Sequence, residues 1–178
     1  MCGIAGFISR SEDPLDCLER MAKAIYHRGP DDHGVWFDRE CGVGFAHTRL
    51  SILDLSHAGH QPMESNSGRY MMVFNGEIYN HQTIRNELNT TLVTNWRGHS
   101  DTETLLAGFD AWGVEGTLKK STGMFAIAIW DKQTSVLTLI RDRIGEKPLY
   151  YGWQGDTFLF GSNLAALKEH SAFKSEIN

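Results

Sequence analysis

Residues 124–130, Met-Phe-Ala-Ile-Ala-Ile-Trp, are apolar throughout rather than alternating. Read as a strand, such a run needs cover on both faces, so it belongs inside a stack and not on an open sheet. Further short strands are expected at 2–9, 35–38, 42–48, 69–74, 136–140, 149–151 and 157–160. Short strands with hairpin-length links, such as 131–135, indicate antiparallel sheets. Helices separate them. At 14–26, Leu15, Leu18, Ala22 and Ile25 recur on one face while Asp16, Glu19, Arg20 and Lys23 occupy the other, the pattern of a helix laid on a sheet. Others are expected at 79–88, at 98–113, where Ser100 as N-cap and Glu103 three residues on form a capping box, and at 163–170. Residues 91–96 read as a short strand or an extended link. The whole is an α+β chain in one domain, 1–178.

Lys and Arg number 17 against 22 Asp and Glu, a net charge of -5 with the basic residues scattered. That distribution offers no footprint for nucleic acid or for an anionic membrane, and neither partner is expected. Three widely spaced cysteines, Cys2, Cys17 and Cys41, without a C-x-x-C pair suggest a reducing, cytoplasmic setting. No stretch approaches the length of a membrane-spanning helix. The eight histidines and three cysteines show no spacing of a structural zinc site, so no metal is expected.

The chemistry is concentrated in a few stretches. Cys2 directly follows the initiator methionine, and removal of Met1 would place a thiol and a free α-amine on one residue. An α-amine has a pKa of about 7.7 to 8.0, so it can act as a base near neutrality and serve the thiol beside it. The plainer reading is that Cys2 only permits methionine removal and is an ordinary thiol. Asn75-Gly76, directly after an expected strand, is a strong hairpin-turn signal. The same pair also offers a side-chain amide and an unhindered backbone N–H, two converging donors of the kind an oxyanion hole needs. Arg49 stands where a strand should end, with a guanidinium suited to a ligand carboxylate. Asp101 falls in the first turn of a helix, where the dipole favours a carboxylate on structural grounds alone. The segment His27-Arg28-Gly29-Pro30-Asp31-Asp32-His33-Gly34 reads as a turn dense in polar groups, either a hydrogen-bonded loop or part of a site.

Six segments now stand together: MCGIAGF from Met1, HRGPDDHG from His27, AHTRLSILD from Ala46, FNGEIYNH from Phe74, HSDTE from His99 and RDRIGEKPLYY from Arg141. In this order they resemble the glutaminase domain of class II glutamine amidotransferases, most closely the amino-terminal half of glutamine-hydrolysing asparagine synthetases. The resemblance implies an N-terminal-nucleophile hydrolase fold, four αββα layers with two antiparallel sheets stacked face to face. It implies hydrolysis of the glutamine side-chain amide to glutamate and ammonia. Cys2 would be the nucleophile, Asn75 and the N–H of Gly76 the oxyanion hole, and Arg49 and Asp101 the partners of the substrate's carboxylate and ammonium. Leu50, Ser51, Ile52, Leu53 and Glu77 would complete the glutamine pocket. Thr48 stands where the family often has a second arginine or another polar residue.

The family's second half, with its S-G-G-x-D-S pyrophosphate loop, has no counterpart in the sequence. No cofactor is therefore expected in this domain. ATP and Mg are expected only in a synthetase domain, and the chain is expected to be a fragment of a longer protein or a subunit docking to a separate synthetase. A homodimer is a further expectation. Two other readings are kept: a stand-alone N-terminal-nucleophile amide hydrolase and a catalytically silent docking domain. Arg49 with Asp101 argues against the first, and the presence of Cys2 against the second.

Overall fold

A computed structural model describes residues 1–10, 13–91 and 95–175. In chain order its elements are β1 (Gly3–Ile8), α1 (Pro14–Ala24), β2 (Asp32–Asp38), β3 (Val43–Arg49), β4 (Met63–Glu64), β5 (Tyr70–Ile78), α2 (His81–Thr91), α3 (Asp101–Lys120), β6 (Gly123–Asp131), β7 (Val136–Arg141), β8 (Tyr150–Gln154), β9 (Thr157–Gly161) and α4 (Leu164–Lys168). Every strand pairing is antiparallel, in one sheet ordered β2-β3-β1-β9-β8 and another ordered β4-β5-β6-β7.

Three apolar layers hold the two sheets and their helices together. Phe7, Ala5 and Ala46 of the first sheet pack on Leu18, Met21 and Ile25 of α1 and the turn after it, and on Leu167 of α4. Met72, Phe74, Ile78, Ile127 and Ile129 of the second sheet pack on Ile84 and Leu88 of α2 and on Leu105, Leu106 and Phe109 of α3. Between the sheets lie Ile4, Val43, Phe45, Met71, Val73, Ala126, Ala128, Trp130 and Phe160. This is the αββα stack, and residues 124–130 sit inside it with Phe125, Ile127 and Ile129 toward the helices and Ala126, Ala128 and Trp130 toward the other sheet. Apolar side chains on both faces are why that run does not alternate.

Several expectations need correction. Asn75-Gly76 is not a turn: it lies inside β5, with Asn75 opposite Ala126 and Gly76 opposite Phe125. A two-residue hairpin would require positive φ, which Gly76 does not adopt; nine residues of pairing to β6 override the dipeptide's turn propensity. Asp32, His33 and Gly34 likewise belong to β2 rather than to a turn, because Arg49, Thr48 and His47 of β3 continue far enough to pair with them. The capping box is half realised. Ser100 accepts from the Glu103 N–H at 3.2 Å, but the Glu103 carboxylate takes the N–H groups of Arg97 at 2.7 Å and Gly98 at 3.1 Å instead of that of Ser100. The expected end of that helix at Gly113 is a kink, with φ 72°, beyond which helix resumes to Lys120. The expectation for 91–96 falls partly outside the described residues, as does the extreme tail.

Phe45 is fully buried between the sheets, with ring centroids 5.7 Å from both Trp36 and Phe160. Phe45→Ala is expected to destabilise the domain by about 3–5 kcal/mol, read as a lower urea midpoint with an unchanged slope.

Candidate active site

Strand alternation aims the candidate residues at one place. Ile4 of β1 faces the inter-sheet layer, so Cys2 two residues earlier does too. Val43 and Phe45 of β3 face it, so His47 and Arg49 follow; Met71 and Val73 of β5 are followed by Asn75 and Glu77. The register places Gly3 opposite Thr48 and Ile4 opposite His47, which brings Cys2 level with Arg49. At one end, therefore, the apolar layer between the sheets turns polar. A pocket opens there, enclosing about 140 Å³, with Cys2, Arg49, Leu50, Ile52, Leu53, Asn75, Gly76, Glu77 and Asp101 in its wall.

Ser51 alone of the expected site residues is not in that wall; its backbone N–H donates to Asp31 Oδ2 at 2.8 Å and holds the loop to the chain ahead of β2. Sequence reasoning missed several wall residues, among them Asp54, Gly59, Gln61, Thr102, Met124 and Lys147. It also left open the role of Arg28, whose Nε donates to the Cys2 carbonyl at 3.1 Å and so fixes the backbone of the thiol. The density of polar groups at 27–34 was the one signal for it.

The Cys2 Sγ lies against the Leu50 backbone, accepting from its N–H at 3.4 Å and directed at its carbonyl oxygen at 3.6 Å. Burial pushes the thiol pKa up, with Asp101 adding to the rise, while the Leu50 N–H, the N-terminal ammonium and Arg49 pull the other way. Arg49 is buried yet, among the described residues, has no carboxylate partner. Its guanidinium donates to the Ser56 carbonyl at 2.9 Å and to the Asp54 carbonyl. Gly59 packs against it, and a Cβ there would lie 2.0 Å from Arg49 Nη2 and displace the guanidinium. Across the pocket Asp101 is also buried, with Oδ2 accepting from the Ile78 N–H at 2.9 Å and Oδ1 from the Thr102 N–H at 2.9 Å. Burial pushes its carboxyl up in spite of those hydrogen bonds.

The donors come from the free edge of β5. Strand β4 covers only Met71 and Met72. Beyond it side chains take over: Gln61 Oε1 accepts from the Phe74 N–H at 2.7 Å, His47 Nε2 donates to the Phe74 carbonyl at 3.2 Å, and Asp101 takes the Ile78 N–H. Gly76 lies between Phe74 and Ile78, and its N–H points the same way. It receives nothing from β6, because Phe125 opposite turns its own N–H to Asp142 Oδ2 at 3.2 Å and its carbonyl to the Asp142 N–H at 2.8 Å. In an antiparallel pair, facing residues exchange both bonds or neither. Next to it Asn75, 1% exposed, holds its Nδ2 without a partner among the described residues. Two unspent donors thus meet in the pocket wall. A side chain at 76 is excluded, since a Cβ would fall 2.3 Å from the Met124 carbonyl oxygen.

A half-buried thiol, two adjacent donors without partners among the described residues, a cation and an anion set around one small cavity can attack the carbonyl of an amide and hold the oxyanion that forms. The glutamine amidotransferase domain family matches residues 1–178. The chain is 36% identical over 188 residues to glutamine-hydrolysing asparagine synthetase 3 of Bacillus subtilis, across 100% of this chain and 29% of that protein. It is 38% identical over 183 residues to asparagine synthetase 2 of the same organism, across 100% of this chain and 24% of that one. Glutamine phosphoribosylpyrophosphate amidotransferase from B. subtilis superposes with a TM-score of 0.79 at 18% identity, across 94% of this chain and 43% of that one. The chain belongs to the glutamine amidotransferase domain family, and it spans between about a quarter and about a third of the length of the asparagine synthetases it matches. Among the described residues no helix is long and apolar enough to cross a membrane, and no three His, Cys, Asp or Glu side chains are grouped to hold a metal.

Asp54 gives the site a pH signature. Burial opposes its ionisation, but the Ser56 hydroxyl at 2.6 Å, the His99 and Ser56 N–H groups at 2.7 and 2.8 Å, and the Arg49 charge hold its pKa at about 2, below its ordinary 3.8. A carboxyl depressed on folding stabilises the protein above its unfolded pKa, and that contribution is lost as pH falls from near 4 through 2. Asp54→Asn should therefore be less stable than the parent at pH 7, with the difference shrinking between pH 4 and 2.5 in urea titrations.

Proposed function

We propose that this domain hydrolyses the side-chain amide of L-glutamine to glutamate and ammonia, with Cys2 as nucleophile. The observation that carries the reading is a pair of donors without partners among the described residues, Asn75 Nδ2 and the Gly76 N–H, in the wall of a pocket that also holds the Cys2 thiol and two buried charges, Arg49 and Asp101, for which no salt bridge is formed among those residues. A free α-amino acid brings one carboxylate and one ammonium, so it supplies both missing partners. Arg49 takes the carboxylate through guanidinium N–H groups not spent on the 54–56 loop. Asp101 takes the ammonium, whose charge offsets the burial that pushes the carboxyl up. Leu50, Ile52, Leu53 and Glu77 close around the side chain.

Once Met1, which is 56% exposed, has been removed, the Cys2 α-amine accepts the thiol proton, directly or through one water. The sulfur bonds to the amide carbon, and the carbonyl oxygen becomes an oxyanion held by Asn75 and Gly76. Collapse of that intermediate breaks the C–N bond, the α-ammonium returns its proton to the leaving nitrogen, and ammonia departs. Water then attacks the thioester, the same amine serves as base, and glutamate leaves with the thiol restored. The ammonia is destined for a synthetase domain, with its ATP and Mg, that amidates a carboxylate such as that of aspartate. We place the protein in the cytoplasm, in keeping with its three free thiols.

Glutamate release from glutamine, on protein shown by intact mass to begin at Cys2, is the test. Cys2→Ala should abolish turnover, and turnover surviving that change sinks the reading. Asn75→Ala should lower kcat by about 10²–10³ while leaving KM nearly unchanged. Asp101→Asn, by contrast, should chiefly raise KM for glutamine, and it should not slow the alkylation of Cys2 by iodoacetamide, because the charge it removes holds the thiol pKa up.

A further inference from the structure

We infer that His47 is a positioning residue of this reaction: it ties the strand bearing the oxyanion donors to the sheet bearing the nucleophile and so sets the gap between Cys2 and Asn75-Gly76. The inference rests on the glutaminase reading above. His47 is fully buried and outside the pocket wall, so it acts through its neighbours and not on substrate. On β3 it stands opposite Ile4, two residues from Cys2 along β1. Its Nε2 reaches across the inter-sheet layer to the Phe74 carbonyl at 3.2 Å. That carbonyl and the N–H of Asn75 form one rigid peptide plane, so His47 grips the plane from which Asn75 is suspended.

The direction of this bond fixes the state of the ring. A carbonyl only accepts, so Nε2 carries the proton, and Nδ1 is left bare and buried without a partner among the described residues. Protonating Nδ1 would create a cation with no compensation there. Burial accordingly holds the imidazole pKa down to about 3, with the Phe74 carbonyl and Asp32 opposing that fall and His60 and Arg49 adding to it. The ring is a neutral donor throughout the working pH range and does not alternate between roles. Gln61 completes the clamp. Its Oε1 takes the N–H of the same Phe74, while its Nε2 donates to Thr102 Oγ1 at 3.3 Å, the neighbour of Asp101. Both backbone polar groups of Phe74 are therefore held by side chains from outside β5, one from the nucleophile's sheet and one linked to the helix that presents Asp101.

Gln carries a donor nitrogen the same number of bonds from Cβ as His Nε2, whereas Asn is one bond short; the pair His47→Gln and His47→Asn separates the hydrogen bond from mere polarity. His47→Asn, and His47→Phe where it folds by circular dichroism, should lower kcat about 10- to 100-fold with KM changed less than about threefold, the scale of a misplaced donor. Affinity for glutamate γ-semialdehyde, whose adduct with the thiol carries a tetrahedral oxygen, should fall by the same factor as kcat. The rate of Cys2 alkylation by iodoacetamide, which needs no oxyanion hole, should stay as in the parent. His47→Gln should recover most of the loss. Equal defects in the Gln and Asn variants, unchanged semialdehyde affinity, or alkylation slowed in step with turnover would each overturn the assignment. A parent protein beginning at Cys2 that neither turns over glutamine nor binds the semialdehyde would instead sink the glutaminase reading itself.

Discussion

The site depends on one stretch of strand edge that no strand covers. Backbone N–H and C=O groups buried away from water must find partners, yet β4 ends after pairing with Met72 and Met71, leaving the edge of β5 from Phe74 to Ile78 without a neighbour. His47, Gln61 and Asp101 fill the vacant positions, and each is a polar side chain that would be expensive to bury without this task. The Gly76 N–H is the one donor of that row they leave unspent. On the far side the alternation of the antiparallel ladder turns both polar groups of Phe125 away from Gly76, and Asp142 satisfies them there, so the sheet does not satisfy Gly76 from within. The unspent donor thus arises from a sheet interrupted at one place and patched around it.

The charges follow the same logic. Arg49 is surrounded by carbonyl oxygens of its own loop, and Asp101 by N–H groups at the edge of β5 and the start of α3. Dipoles stabilise a buried ion without neutralising it. Had each ion been paired with an opposite side chain, a zwitterionic substrate would have had to break a buried ion pair to enter, a strongly unfavourable step. Solvation by backbone leaves both charges formally uncompensated and held in place, and only a ligand with both signs satisfies them together. Asp54 joins the two halves of this arrangement: its carbonyl binds Arg49, and its carboxylate takes the His99 N–H two residues ahead of Asp101.

Much of this was legible in the sequence. The non-alternating run at 124–130 demanded a strand between two layers, and Cys2, Asn75, Arg49 and Asp101 could be named from their chemistry and the motifs around them. What escaped was set by pairing. Asn75-Gly76 looks like a turn because the dipeptide favours one, and nothing local announces nine residues of partner strand. Asp32 to Gly34 reads as loop because the Gly-Pro-Asp stretch before it favours a turn, and nothing local shows that β2 begins three residues ahead of Val35 to pair with the end of β3. Gln61, His47 and Asp54 carry no local signal of function, since an isolated Gln or Asp in a polar stretch, or a lone His in a strand, is ordinary. The roles of Gln61 and His47 appear only when the edge they serve is known to be bare, and that of Asp54 only when Arg49 and the His99 N–H are seen to meet it.

The groups that do the positioning are largely main-chain atoms: the Gly76 N–H, both polar groups of Leu50 beside the thiol, both polar groups of Phe74, and the Ile78 N–H. Such atoms are supplied by any residue whose side chain suits the layer it faces, so they constrain path more than identity. Gly76 is the exception, because the Met124 carbonyl leaves no room for a Cβ. A fold assembled in this way can keep its architecture while most side chains change, which is the relation seen at 18% identity and a TM-score of 0.79. The side chains that cannot drift in this chain are those that repair the open edge or carry charge, and they gather in the short segments where the inter-sheet layer turns from apolar to polar.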